Sequence, residues 1–262
     1  MPIIHSVKRL MTYATYLGSA LFTDYSWALN VSPMSGDWAP TASSYYELNV
    51  VNDTARTLPI KVSAWTRGQD ANGLEVRTPT EDLVIFPRQV LLKPNEQRSL
   101  RLTQKKKTAP PKVEQAYRII VEEVPTKDGD VKGSGVRFVS RFVTALYVLP
   151  ERPRAQIEVV SAVRAADGFT LTLKNTGNTH SLLSRPMLTF KQANKEQVLD
   201  NAEDLKPIPL TNLLPGTTHV VRWRWPSAPA PTIDLARDYS LDLRWECLRC
   251  EKERGQLSIN FE

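Results

Sequence analysis

The stretch "GVRFVSRFVTALYVLP", residues 135–150, decides how the rest of the chain is read. It is rich in valine and aromatic residues, contains no helix-period stripe, and reads as one long β-strand. A strand this apolar belongs in a sheet, and the question is whether it is central or at an edge. Apolar edges template aggregation, and proteins blunt them with charge, proline or bulges. Here only Arg137 and Arg141 interrupt the run, so an edge position would need a functional reason.

The surrounding composition favours β structure. The chain has 262 residues, 41% hydrophobic and 24% charged, with 19 prolines. So many prolines suit a β protein with frequent turns better than a helical one. No segment approaches the roughly 20 apolar residues of a membrane helix, so no membrane insertion is expected. The net charge of +6 is spread along the chain apart from "KKK" at 105–107. That run sits in a Pro-containing loop, "TQKKKTAPPK", and reads as solvated. A nucleic-acid binder would gather its basic residues on one face with interleaved aromatics, so nucleic acid is not an expected partner.

Both termini carry compartment signals. Lys8 and Arg9 precede the short apolar stretch "LMTYATYLGSALF", and Ser26 and Ala28 fit a signal-peptidase site. Residues 1–28 are thus expected to be a signal peptide; Asp24 departs from that pattern, and a buried N-terminal segment is the competing reading. The only cysteines, Cys247 and Cys250, stand in "ECLRC". A redox dithiol would open a helix after a strand, and zinc needs about four ligands, whereas only three histidines exist. A structural disulfide in an oxidising compartment is the favoured reading.

Turn signals divide the remainder. "YYELNVVND" (45–53), "LPIKVSAW" (58–65), "EDLVIFPRQVLLKPNEQRSLRLTQ" (81–104) and "QAYRIIVEEVP" (115–125) alternate with period two. About seven strands fit between Leu29 and Pro150, the number expected of an immunoglobulin-like domain. "LPERPRA" (149–155) reads as a linker, after which the pattern restarts in "AQIEVVSAVRAADGFTLTLKNTGNTHSLL", "LLPGTTHVVRWRWP", "YSLDLRWE" and "GQLSINFE". The expected fold is all-β: an immunoglobulin-like domain over 29–150 and a second over 151–262, joined at an angle. There is no Gly-rich phosphate loop, HExxH or G-x-S-x-G, so no catalytic residue, metal or cofactor is expected.

Several segments together carry a resemblance. "LNVSPM" (29–34) looks like an opening strand, and "VIFPRQVLLKPNEQRSLRL" (84–102) is similar to an apolar-Pro…Leu-x-Pro-Gly…Arg segment with Asn95 for the glycine. "YRIIVEEVP" (117–125) and "FVSRFVTALYVLP" (138–150) look like the last two strands of a first domain. "LKNTGNTHSLL" (173–183) looks like an Asn-x-Gly-x-x-His segment of a second. In this order they resemble the periplasmic chaperones of chaperone–usher pilus assembly, and "FPRQVLL" and "YRIIV" look closest to the archaic, non-classical branch.

The resemblance implies a periplasmic protein that binds, folds and caps pilus or fimbrial subunits by donor-strand complementation and delivers them to an outer-membrane usher. The edge strand would present Val136, Phe138, Ser140 and Phe142 to the subunit, with a bulge able to switch parity to Val139 and Val143. Self-association of the free protein would be a natural way to hide such an edge. In the best-known branch a lysine in the last strand helps anchor the subunit's carboxylate; the corresponding position here is Ala145. Arg88 and Arg118 are nominated as replacement anchors, since a guanidinium grips a carboxylate with two bonds. Ordinary structural pairing, with Glu122 or Glu123 for example, is the competing reading. A secreted two-domain structural or adhesive module is the alternative function, and it expects a charged or covered final strand instead.

Overall fold

A computed structural model describes residues 29–70, 73–106, 109–125, 139–201, 205, 212–225, 231–247, 249–250 and 254–261. The expected signal peptide, the hairpin loop "TKDGDVKGSG", and Val136 and Phe138 lie outside them. The described elements are all strands. They run β1 (Leu29–Ser32), β2 (Ser35–Trp38), β3 (Tyr46–Asn52), β4 (Leu58–Gln69), β5 (Glu75–Pro79), β6 (Leu83–Phe86), β7 (Gln89–Leu92), β8 (Gln97–Gln104), β9 (Gln115–Glu123) and β10 (Arg141–Val148). After the junction come β11 (Ile157–Ala165), β12 (Gly168–Asn175), β13 (Ser184–Gln192), β14 (Lys195–Leu199), β15 (Thr218–Arg224), β16 (Tyr239–Glu246) and β17 (Arg254–Phe261).

The first ten strands build two facing sheets. One has the order β1-β3-β8-β6, the other β2-β10-β9-β4-β5, with β7 also pairing β4. Alternation along each strand fills the space between them. Leu48 and Val50 of β3, Ile60, Val62 and Ala64 of β4, Leu100 and Leu102 of β8, and Ile119 and Val121 of β9 are buried in one cluster. Burying each of these leucine, isoleucine and valine side chains is worth roughly 1.5–3 kcal/mol, which explains why the period-two pattern was readable. Among the described residues there are ten strands where about seven were expected. Pro33 interrupts the opening strand, and the chain crosses from one sheet to the other, so β1 pairs antiparallel with β3 while β2 pairs parallel with β10. A second addition is β5, "EVRTP", whose side chains are mostly exposed and gave no alternation to read.

The second unit has sheets β11-β12-β15 and β14-β13-β16-β17 around a separate core. Phe169, Phe190, Trp223, Tyr239 and Phe261 sit within it, with Phe169 stacked on Trp223 at 5.1 Å between centroids. The cysteine reading is placed here too. Cys247 and Cys250 are bonded to each other in the loop between β16 and β17.

The junction between the two sandwiches is held by specific contacts. The long β4–β5 hairpin reaches the second unit, where Leu214 N and Thr217 Oγ1 donate to Gln69 Oε1 at 3.1 and 2.8 Å. Gly73 turns that hairpin at φ 79°, and any Cβ there would lie 2.5 Å from His219 Nδ1. "LPERPRA" is pinned where the sequence suggested a plain linker. Asn178 N donates to Arg154 O at 2.9 Å, and Ala155 N donates to Arg249 O at 3.1 Å. The reason lies in "NTGNTH": Asn175, fully buried, donates to Thr179 O and Leu213 O and accepts from Gly177 N. That shapes the loop so that Asn178 faces the junction.

Candidate functional site: a half-open strand edge beside an arginine cluster

The opening question about residues 135–150 receives a divided answer. β9 pairs with the whole of β10, from Arg141 opposite Glu122 to Val148 opposite Gln115. On the other side, β2 pairs only with Ala145–Val148. Ala145 N donates to Met34 O and Leu149 N to Trp38 O, at 2.9 and 2.8 Å. Among the described residues, Arg141–Thr144 have no strand on that side. The strand itself begins at Arg141; Val139 and Ser140 precede it as irregular chain, although Ser140 O still accepts from Glu123 N at 2.9 Å.

The two faces of β10 have different duties. Leu146 and Val148 enter the first core, and Phe142, half-buried, packs against it. Ala145, Tyr147 and Leu149 face the other way and cluster with Leu214 of the second unit. Of the nominated donor residues, then, Phe142 leans on its own domain and Ser140 is half-buried, while Val139 beside them is exposed.

On that outward face of the same sheet lies an ionic cluster. Glu75 of β5 receives Arg67 Nε at 2.9 Å, Arg118 Nε at 3.0 and 3.2 Å, and Arg77 Nε. The strands converge because Arg67 pairs across β4–β5 with Arg77, and Arg118 across β9–β4 with Trp65. Arg67 also reaches the Tyr147 hydroxyl, which accepts from Asn212 Nδ2 at 2.7 Å. Three guanidiniums around one carboxylate leave an excess of positive charge. Burial alone would raise the Glu75 carboxyl, but hydrogen bonds from Arg118 and Arg77 and the charges of Arg118 and Arg67 lower it to about 2. Burial also opposes the charge of Arg118; its hydrogen bond to Glu75 prevails and raises its pKa.

Arg118 stands directly opposite Ala145, where the resemblance would lead one to expect a lysine, so this charge occupies the next strand at the same level of the sheet. Its partner is Glu75, not Glu122 or Glu123. Arg88 has a separate setting. It follows Pro87 between β6 and β7, is about half exposed, and pairs with Glu81 at 2.7 Å. Together they border a groove of about 560 Å³ that Lys61, Trp65, Glu122 and Arg141 also line. The sequence missed Arg67, Arg77 and Glu75. Nothing in "AWTRGQ" or "LEVRTP" marks them, because the cluster forms only when β4, β5 and β9 lie side by side.

A polar seam continues from the cluster into the junction. The Tyr147 ring lies 4.0 Å from the His180 ring, and His180 Nδ1 is 2.8 Å from Glu114 Oε2. Both Thr179 Oγ1 and His180 N donate to the same buried carboxylate. Among the described residues, no group of three His, Cys, Asp or Glu side chains converges as a metal site, and no helix is long and apolar enough to cross a membrane.

Comparisons with known proteins agree with this architecture. No curated protein matches the sequence. In structure, the chain is similar to the class 5 fimbriae chaperone CfaA, with a TM-score of 0.56 and 17% identity over 90% of this chain and 99% of that one. It is similar to a chain of the CsuC–CsuE chaperone–tip adhesion subunit complex of archaic Csu pili from Acinetobacter baumannii, with TM-score 0.55 and 16% identity over 89% and 97%. The E. coli chaperone DraB gives 0.51 and 17% over 90% and 98%. At these identities the likeness is one of fold, and it extends over both sandwiches. By sequence, residues 40–153 match the family described as pili and flagellar-assembly chaperone, PapD N-terminal domain, a span that holds β3–β10, the half-open edge and the arginine cluster. Over this first domain, then, the chain is similar to the pili and flagellar-assembly chaperones of the PapD type.

Proposed function

We propose that this protein is a periplasmic chaperone that captures pilus or fimbrial subunits by lending them the β10 edge, and passes them to an outer-membrane usher. The match of residues 40–153 to a pili and flagellar-assembly chaperone family supports a non-enzymatic role with protein chains as partners. The observation that carries the reading is the half-covered β10: β2 protects Ala145–Val148, while among the described residues the backbone of Arg141–Thr144 has a strand neighbour on one side only. Backbone pairing there nets about 0.5–1.5 kcal/mol per hydrogen bond, so apolar insertion must supply the remaining affinity. Val136 and Phe138, which continue the apolar alternation in the sequence, are the side chains proposed to insert, with Ser140 and Phe142 completing the row where the strand meets its own core.

The carboxylate end of a subunit would be held by the cluster around Arg118. Three guanidiniums already share one carboxylate there, and a second carboxylate would complete the pairing. Arg88, exposed and singly paired, is the outlying second anchor. Export of the chain by residues 1–28 and a disulfide at Cys247–Cys250 fit the same compartment.

Co-expression with pilus subunits in a bacterial periplasm tests the reading. Wild-type chaperone is expected to co-purify with subunit, and Phe138→Asp or Val136→Asp to lose it while keeping the thermal unfolding of the free protein. Capture that survives both substitutions would overturn the donor assignment. Loss of cooperative unfolding in either variant would make that residue part of the domain's own core.

A further inference from the structure

We propose that the Cys247–Cys250 loop is a clasp that holds β2 on β10 through Arg249, and so sets how much of the β10 edge stays covered. β2 is poorly held by its own residues. It is four residues long, lies at the rim of its sheet, and pairs in parallel, which is slightly the weaker arrangement per residue. Only Trp38 at its end is buried, with Nε1 donating to Ser43 O at 2.9 Å. Gly36 contributes no side chain. Its backbone lies so close to Tyr46 that a Cβ would fall 1.9 Å from the hydroxyl oxygen.

Asp37 supplies the missing attachment. Its carboxylate takes a charge-assisted hydrogen bond from Arg249, a residue 212 positions away in the second unit. The Arg249 side chain is 13% exposed and that of Asp37 35%, so the pair is partly shielded from solvent and worth more than an ordinary surface pair. Arg249 is fixed in turn from three directions. Its carbonyl accepts from Ala155 N at 3.1 Å, Nη1 lies 3.5 Å from His180 Nε2, and it stands inside the loop that the disulfide closes. Cys247 is buried in the second core, which anchors the base of the arm. Closing so short a loop removes little chain entropy, so the cross-link acts mainly by holding this arm in shape. Arg249 is therefore a positioning residue: it acts on the edge through Asp37 and β2.

Residue-resolved hydrogen exchange on the oxidised full chain tests this without any subunit. The amides of Ala145 and Leu149, which donate to Met34 and Trp38, report whether β2 is seated. Arg249→Ala and the double variant Cys247→Ser/Cys250→Ser are expected to speed exchange at both amides about tenfold or more. Core amides of Leu171 and Leu241 should be unchanged, and Arg249→Lys should restore part of the protection. Unchanged exchange at Ala145 and Leu149 in Arg249→Ala, or an equal rise across both cores, would overturn the clasp. Arg249→Ala keeps the disulfide, so the test holds even if the cysteine variant fails to fold. The consequence for subunit capture rests on the function proposed above. Faster exchange with unaltered capture would leave the clasp standing and count against that function.

Discussion

Arg118 and Arg88 were nominated on the same grounds, and their surroundings now separate them. Arg118 lies in a half-buried cluster and contributes three of the hydrogen bonds that hold Glu75. Arg88 pairs with Glu81 in the open. Arg118→Ala should therefore cost the first domain about 1–3 kcal/mol, and Arg88→Ala no more than about 1 kcal/mol, as measured by urea unfolding. Glu75 adds a pH dependence whose sign is fixed. Its folded-state pKa is depressed from 4.5 to about 2, so its stabilisation is full above 4.5 and is lost as pH falls towards 2. Glu75→Gln should destabilise the domain at pH 7, and the gap to wild type should narrow by pH 3. A gap that stays constant with pH would show that the carboxylate's charge is not what stabilises. The sequence could not reveal this partner. Glu122 is on the same face as Arg118 but four residues along the strand, roughly 13 Å away, and it pairs with Arg141. Glu123 points to the opposite face.

Among the elements, the β7–β8 turn shows a left-handed position being absorbed locally. Asn95, where the resembling segment has a glycine, has φ 57°, a left-handed conformation that asparagine tolerates better than other non-glycine residues. Its amide donates to Asn52 O at 2.8 Å, and Asn52 Nδ2 donates to Leu92 O and Lys93 O, so turn and strand end lock together. Asn95→Gly is expected to change stability by less than about 1 kcal/mol, because the turn keeps its backbone bonds. Asn95→Val should cost about 1–2 kcal/mol through the left-handed conformation alone; equal midpoints for the two variants in thermal melts would refute the account. β10 teaches the complementary lesson. Its apolar character was plain in the sequence, whereas its coverage depends on β2, a four-residue strand whose "SGDW" carries no β signal.

At the scale of the whole molecule, the described residues form two cores with no shared buried cluster apart from the small group of Ala145, Tyr147, Leu149 and Leu214 at the junction. Leu100→Ala, at a fully buried site of the first core, should cost about 2–5 kcal/mol there. The aromatic near-ultraviolet signal of the Phe169–Trp223–Tyr239 group should melt at its wild-type temperature. A parallel shift of that signal would mean that the junction couples the two units into one cooperative fold. The sequence by itself determined the β character, the strands with clean alternation, the restart of the pattern after Pro150 and the resemblance, because period-two burial and turn chemistry are local properties of the chain. Only the tertiary structure decided which half of β10 is covered, that Glu75 gathers Arg67, Arg77 and Arg118, and that Arg249 meets Asp37. Each of these joins residues far apart in sequence, and their meeting follows from how sheets and domains pack, which no local pattern encodes.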